Sequence, residues 1–201
     1  MLYYLYHLSM FPLHQAVKNG DVDAVLKLVA EKNDINEKDD TGATPLHWAM
    51  TAKNTIIIGM LFDDDPDVNA TTADGQTPLH WAANSNYRSG IFLLIWKEAG
   101  INAEDAEGKT PLIYAVEKGH REAISELVEH NAYGHARVNT QTKTGKTPLH
   151  FAVATGDLDI VKYLVLFGAK TDTKDIDGKT PLDDAQPFPD ITQWLESKLK
   201  K

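Results

Sequence analysis

The phrase Thr77-Pro78-Leu79-His80-Trp81-Ala82 recurs along the chain at an almost fixed interval, and that interval limits the fold more than any other feature. Close copies stand at Thr44-Pro45-Leu46-His47-Trp48-Ala49, Thr110-Pro111-Leu112-Ile113-Tyr114-Ala115, Thr147-Pro148-Leu149-His150-Phe151-Ala152 and Thr180-Pro181-Leu182-Asp183-Asp184-Ala185, with a weaker one at Phe11-Pro12-Leu13-His14-Gln15-Ala16. From Pro12 through Pro45, Pro78 and Pro111 the step is 33 residues; it lengthens to 37 at Pro148 and returns to 33 at Pro181. A unit this short cannot bury an apolar face alone, so a regular series implies layers stacked on their neighbours rather than one closed core.

The phrase has a local physical reading. Thr is a natural N-cap, and Pro fits the first helical position, where its missing N–H costs nothing. Leu and Ala, three positions apart, then face one side. A second helix follows in each copy: Val22, Val25, Leu26 and Val29 form one predicted stripe, Ile56–Phe62 another, then Ala123, Ile124, Leu127 and Val128, and then Ile160, Val161, Leu164 and Val165. In the second copy the turn between helices falls at Lys53-Asn54, with Asn54 expected in the left-handed conformation. In the third, Gly90 lies inside the second helix, which predicts a soft layer, with Phe92, Ile95 and Trp96 offsetting the loss by packing on adjacent units. In the last, Gln186-Pro187-Phe188-Pro189 interrupts the turn before a closing helix built on Ile191, Trp194, Leu195 and Leu199.

A 33-residue unit carrying Thr-Pro-Leu-His-x-Ala, with Gly42, Gly75, Gly108, Gly145 and Gly178 two residues before each Thr, resembles the ankyrin repeat. The resemblance covers roughly residues 11–201. It implies an all-α ankyrin-repeat solenoid of about six helix-turn-helix units with hairpin-like loops at 38–42, 71–75, 104–108, 141–145 and 174–178. The units run approximately 11–38, 39–71, 72–104, 105–141, 142–174 and 175–201, after an apolar extension at 1–10. The four extra residues near Tyr133 are expected in a loop, because an insertion inside a helix would rotate its apolar stripe.

The resemblance also implies a non-enzymatic module that binds a protein partner through a concave face of hairpin tips and first-helix ends. The positions matching that face are Asp40, Thr41, Ala43, Thr51 and Ala52; Ala73, Asp74, Gln76, Asn84 and Ser85; Ala106, Glu107, Lys109, Glu117 and Lys118; Lys143, Thr144, Lys146, Ala154 and Thr155; and Ile176, Asp177 and Lys179. Asp39, Asp40, Asp74 and Glu107 make the early tips acidic, whereas Lys143, Lys146, Lys174 and Lys179 make the late ones basic. A structural spacer, or an enzyme or enzyme subunit without recognised motifs, stays open as an alternative. Asn36, Asn69, Asn102 and Asn139 occupy positions that family members expose to an asparagine hydroxylase.

Charge narrows the partner. A formal net charge of −9 and a pI near 5.3 oppose the basic footprint that phosphate neutralisation needs, so no nucleic-acid partner is expected. No apolar run reaches the ~18 residues of a membrane span. The chain has no cysteine, which leaves neither a disulfide nor a thiolate zinc site and fits a reducing cytoplasm. The opening Met1-Leu2-Tyr3-Tyr4-Leu5 lacks the basic flank of a signal peptide. A cytoplasmic monomer without cofactor is the expectation, and export into another cell as an effector is not separated from it.

The residues that invite chemistry have plainer roles. His14, His47, His80 and His150 sit one layer apart, and layers roughly 8–10 Å apart cannot share one ion with bonds near 2 Å. In the family this histidine hydrogen-bonds neighbouring loop backbone. Trp48, Trp81, Tyr114 and Phe151 fall at one equivalent position and are expected in the core between layers. Asp63-Asp64-Asp65-Pro66-Asp67 lacks the glycine and distal Glu of a calcium loop. No catalytic or metal-binding residue is assigned.

Overall fold

The computed structural model describes residues 11–129 and 135–199. The expectations for the 1–10 extension and for the Tyr133 insertion lie outside the described residues. The chain divides into two compact units, Met1–Gly100 and Ile101–Lys201. Among the described residues each contains three helix pairs and no strand.

In the first unit the pairs are α1 (Pro12–Asn19) with α2 (Val22–Ala30), α3 (Pro45–Ala52) with α4 (Thr55–Asp63), and α5 (Pro78–Asn84) with α6 (Arg88–Trp96). In the second they are α7 (Pro111–Glu117) with α8 (Arg121–Glu129), α9 (Pro148–Thr155) with α10 (Leu158–Leu166), and the short α11 (Pro181–Asp184) with α12 (Pro189–Leu199). Within each unit the first helices stack on one another, α1 on α3 on α5 and α7 on α9 on α11. Leu46, Ala49, Leu79 and Ala82 are buried between layers in the first unit, as are Leu112, Ala115, Leu149 and Ala152 in the second. Each large aliphatic side chain so buried contributes about 1.5–3 kcal/mol.

The turns inside the pairs need left-handed backbone. Gly20, Gly119 and Gly156 supply it without strain; in the second and third pairs Lys53 (φ 55°) and Asn86 (φ 50°) take the same conformation. The expected residue, Asn54, instead stays extended and caps α4, its Oδ1 accepting the N–H groups of Ile56 and Ile57 at 3.0 and 3.2 Å. The helix start needed an acceptor more than the turn needed an asparagine.

Two packing expectations are corrected, and a third residue gains a packing role. Leu26 is 55% exposed and outside the α2 stripe, in which Val25 alone is fully buried. Phe92 and Trp96 point to solvent, 45% and 51% exposed, leaving Ile95 as the packed member of that trio. Gly90 is a packing adaptation: a Cβ there would lie 2.2 Å from the Tyr87 ring and 3.0 Å from the Met50 sulfur, so the glycine makes room for a buried tyrosine.

Between pairs the chain forms tight hairpin tips, one at each predicted loop. In the first, Asp39 N–H donates to Ala43 O at 2.9 Å and Gly42 N–H to Asp39 O at 2.8 Å; the same two bonds recur at Thr72, Asp105, Thr142 and Asp175. Neighbouring tips within a unit are joined by one further backbone bond each: Ala73 N–H to Thr41 O, Lys143 N–H to Glu107 O, and Ile176 N–H to Thr144 O. That approach is why Gly42 is a glycine beyond its φ of 79°, since a Cβ would lie 2.7 Å from Ala73 N.

Candidate functional site

The histidine of the repeated phrase is a joint between layers. Thr44 N–H donates to His47 Nδ1 at 3.1 Å, which makes Nδ1 the acceptor and leaves the proton on Nε2; Nε2 then donates to Gln76 O at 3.0 Å, in the next tip. His150 repeats this, with Thr147 N–H on Nδ1 at 3.0 Å and Lys179 O accepting from Nε2 at 3.2 Å; His14 Nε2 reaches Ala43 O at 3.0 Å. Burial pushes the His47 imidazole down to about 4, against a smaller opposing effect of the Gln76 bond, so the ring is neutral at physiological pH. In the fourth repeat Ile113 takes this place, and the buried Thr110 hydroxyl has no hydrogen-bond partner.

His150, Asp175 and Asp184 bring ligand atoms within 4.8 Å of one another. Both His150 nitrogens are engaged, and Asp175 already accepts the N–H groups of Asp177 and Lys179 at 3.0 and 2.9 Å. Asp184, at the end of α11, lies 3.7 Å from Lys146 Nζ, so all three side chains are engaged within the fold.

At the root of each tip sits a polar residue that organises it. Asp39 Oδ1 accepts from Thr41 N, Thr41 Oγ1 and Ala43 N, while its Oδ2 accepts from Trp48 Nε1 at 2.8 Å and lies 3.6 Å from Lys18 Nζ. Burial raises this carboxyl, but the hydrogen bonds from Thr41, Trp48 and Ala43 outweigh it and leave the group below the usual carboxylate range. Asp39 therefore serves the fold and is not a free acidic contact, contrary to the sequence expectation. Asp105 does the same, accepting from Glu107 N and Lys109 N and from the Tyr114 hydroxyl at 2.7 Å.

The aromatic positions are half-buried at the surface beside the tips and not in the core, as had been expected. They stand on the first helices next to the tips. Trp48 and Trp81 meet edge to face with centroids 4.8 Å apart, and Lys18 Nζ lies 3.6 Å over the Trp48 ring. In the second unit Lys109 Nζ lies 5.8 and 5.6 Å from the Tyr114 and Phe151 rings, and 2.9 Å from Glu117. Burial alone would depress the Lys109 ammonium; Glu117 and Glu107 more than offset it and hold its pKa above the ordinary value. An acidic root accompanies an aromatic with a polar hydrogen, Asp39 with Trp48 and Asp105 with Tyr114, and the root Thr142 accompanies Phe151, which has none. The third repeat breaks the rule: Thr72 accompanies Trp81, whose buried Nε1 has no hydrogen-bond partner.

The structure sorts the predicted face residues. Asp40, Thr41, Thr51, Ala73, Asp74 and Asn84 are exposed in the first unit, with Ala52, Gln76 and Ser85 half-buried. Ala43 is fully buried, its N–H and carbonyl taken by Asp39 and His14, and is removed from the face. In the second unit Ala106, Glu107, Lys118, Lys143, Thr144, Ala154, Thr155, Ile176, Asp177 and Lys179 are exposed, and Lys109, Glu117 and Lys146 half-buried. Each unit has a recess on this side: about 220 Å³ beside Phe11, Lys18, Asp40 and Trp48, and a broader one of about 710 Å³ beside Glu117, Lys118, Phe151 and Ala154. The sequence reading missed Lys18, whose approach to Trp48 is visible only once one pair is stacked on the next.

The asparagines proposed for hydroxylation clamp the following repeat. Asn36, Asn69, Asn102 and Asn139 accept, through Oδ1, the N–H groups of Asp67, Gly100, Arg137 and Lys170 at 2.6–2.8 Å.

A family model described as ankyrin repeats (3 copies) matches residues 13–105, 85–175 and 133–195. A search of curated proteins finds no match. Among the described residues no helix is long and apolar enough to cross a membrane.

Proposed function

Because the chain belongs to the ankyrin-repeat family, whose members are generally protein–protein interaction modules, we propose that it binds a protein partner without catalysis, through the tip and first-helix side of each unit. By family resemblance this is the concave side. The observation that carries the reading is the division of labour at the tips: the root carboxylates Asp39, Asp105 and Asp175 are consumed in turn geometry, while Asp40, Asp74, Lys143 and Lys179, at other tip positions, are exposed. Exposed side chains on the tips are the ones placed to meet a partner.

The exposed charge differs between units. Asp40 and Asp74 make the first unit's tips acidic, and Lys143, Lys146 and Lys179 make the later tips of the second basic. At each unit a partner segment of opposite charge would be drawn in by complementary charge, which acts on association rate and register more than on net affinity. The half-buried rings of Trp48 and Phe151 supply the apolar part of the contact.

The test is affinity capture of partners from the source lysate, followed by binding of the recovered partner to Asp40→Lys/Asp74→Lys and to Lys143→Glu/Lys146→Glu. Both variants are expected to keep the native circular dichroism spectrum and to bind more weakly, with the loss shrinking at high salt. Unchanged binding by both, at low and at physiological salt, would rule this face out.

A further inference from the structure

On the second-helix side of the second unit, α8 and α10 form the walls of a recess of about 240 Å³. Its floor is apolar, made by the buried side chains of Ile124 and Ile160. Polar contacts between the two helices close it at either end. Near the helix starts Arg121 grips Asp157 at 2.8 Å and Asp159 at 3.1 Å, and further along the Tyr163 hydroxyl donates to Glu129. Burial, and then the bond to Glu129, push the Tyr163 pKa up to about 12, so the hydroxyl stays a donor at physiological pH. Ser125 lines the recess between these two clasps. In the preceding repeat the same place, 33 residues earlier, holds Phe92, so a small side chain is what leaves the space here. Volume and charge together narrow what fits. Pockets for drug-sized ligands run upward from about 300 Å³, so a recess of this size takes a single ring with a short arm. Three carboxylates, Asp157, Asp159 and Glu129, stand around one guanidinium, which favours an incoming cation and opposes an anion.

We propose that this recess binds a small aromatic amine, its ring on Ile124 and Ile160 and its ammonium on Glu129. Tyr163 engages one oxygen of Glu129, and a carboxylate has acceptor sites on both, so a charge-assisted bond to the ammonium adds to the existing contact without breaking it. The clasps hold the walls together before a ligand arrives, which keeps the ordering cost of binding low. Those walls belong to consecutive repeats. An occupant therefore bridges the fourth repeat and the fifth, and binding to the folded form alone resists their separation. The site lies on the second helices, so it stands apart from partner binding at the tips.

The probe is phenethylamine, titrated into the isotope-labelled full chain and followed by NMR, with hydrocinnamate and phenethyl alcohol as anionic and neutral controls of similar shape. Saturable shifts are expected in α8 and α10, with an affinity about tenfold above that of either control. Glu129→Gln, at an exposed position, should weaken amine binding about tenfold and remove the preference over phenethyl alcohol, with the melting temperature unchanged. Ser125→Phe, which installs the side chain of the preceding repeat, should abolish binding; Glu129→Gln keeps the test readable should that variant unfold. Saturating amine should slow amide exchange in α8 and α10 and leave α3 and α4 as they were. Equal binding of the three probes, undiminished affinity of Glu129→Gln, or a folded Ser125→Phe that still binds overturns the proposal. So do shifts centred on the tips, since the amine would then be meeting the acidic tip side chains instead.

Discussion

Replacing Thr72 by Asp should stabilise the protein, because it supplies the one acceptor that the tip-and-aromatic pattern lacks. At Trp48 the root carboxylate receives Nε1–H at 2.8 Å, and at Tyr114 it receives the hydroxyl at 2.7 Å; at Trp81 the root is Thr72, whose hydroxyl already accepts from Gln76 N at 3.1 Å. Trp81 Nε1 is buried and unpaired, a condition that costs about 1–3 kcal/mol, and a bond to a charged acceptor contributes about 1.5–3 kcal/mol. Against this stands the desolvation of a carboxylate, several kcal/mol for a deeply buried ion and less at a partly exposed tip. Asp39 shows which side wins: its hydrogen bonds overcome burial and hold it below the ordinary carboxylate range. The expected net gain is about 1–2 kcal/mol, or roughly 2–8 °C in melting temperature for a chain of this size. Urea unfolding of the parent, Thr72→Asp, Trp81→Phe and the double variant forms a cycle in which Thr72→Asp should stabilise only when Trp81 is present, with a coupling of about 1 kcal/mol. Since the new carboxyl would be depressed in the folded state, the gain should be complete above about pH 4 and vanish as the pH falls through its folded value. A lower urea midpoint for Thr72→Asp at pH 7, or zero coupling in the cycle, would refute the argument.

Gly90→Ala should destabilise by about 1–3 kcal/mol, the usual cost of overpacking, even though alanine is the better helix former by about 1 kcal/mol; chemical denaturation gives the sign, and a more stable variant would show that the Tyr87 ring moves aside freely. Acidification should weaken the fold in two stages. His47 is depressed to about 4 when folded, so its contribution is fully present above its unfolded value near 6.5 and falls away, by roughly 3 kcal/mol in all, as the pH drops towards 4. Asp39, also depressed when folded, adds a loss at lower pH still. Urea midpoints that stay level between pH 7 and pH 4, or an NMR titration of His47 centred near 6.5, would contradict this.

The helix starts were legible because Thr and Pro act within a few bonds of their own position, and the repeat interval carried the stacking order. What the sequence did not disclose depends on which side chain reaches an adjacent layer first. Asn54 had two plausible duties, turn or cap, and nothing before the structure showed that Lys53 would bear the left-handed strain. Gly90 looked like a defect because its use lies in the ring of Tyr87, and the aromatic positions looked like core because periodicity does not reveal how much of a ring the next tip covers. Asp39 and Asp40 are chemically identical neighbours, one building the turn and the other exposed at its tip. On the candidate face, the tip positions followed from spacing; the burial of Ala43 and the lysine contacts did not.

The missing imidazole at Ile113 creates a seam. Elsewhere a buried, uncharged hydrogen bond from His14, His47 or His150 fastens one repeat to the next tip. Between the fourth and fifth repeats the polar ties on the second-helix side are the Tyr163 hydroxyl, which donates to Glu129, and Arg121, which grips Asp157 at 2.8 Å and Asp159 at 3.1 Å from an exposed position. Neutral buried ties are indifferent to dissolved ions, whereas an exposed ion pair is screened by them. Ionic strength should therefore act on this junction selectively: in 1 M sodium chloride, amide exchange should accelerate in α8 and at the start of α10 before it does in α3 and α4, so that the order in which the repeats come apart depends on salt.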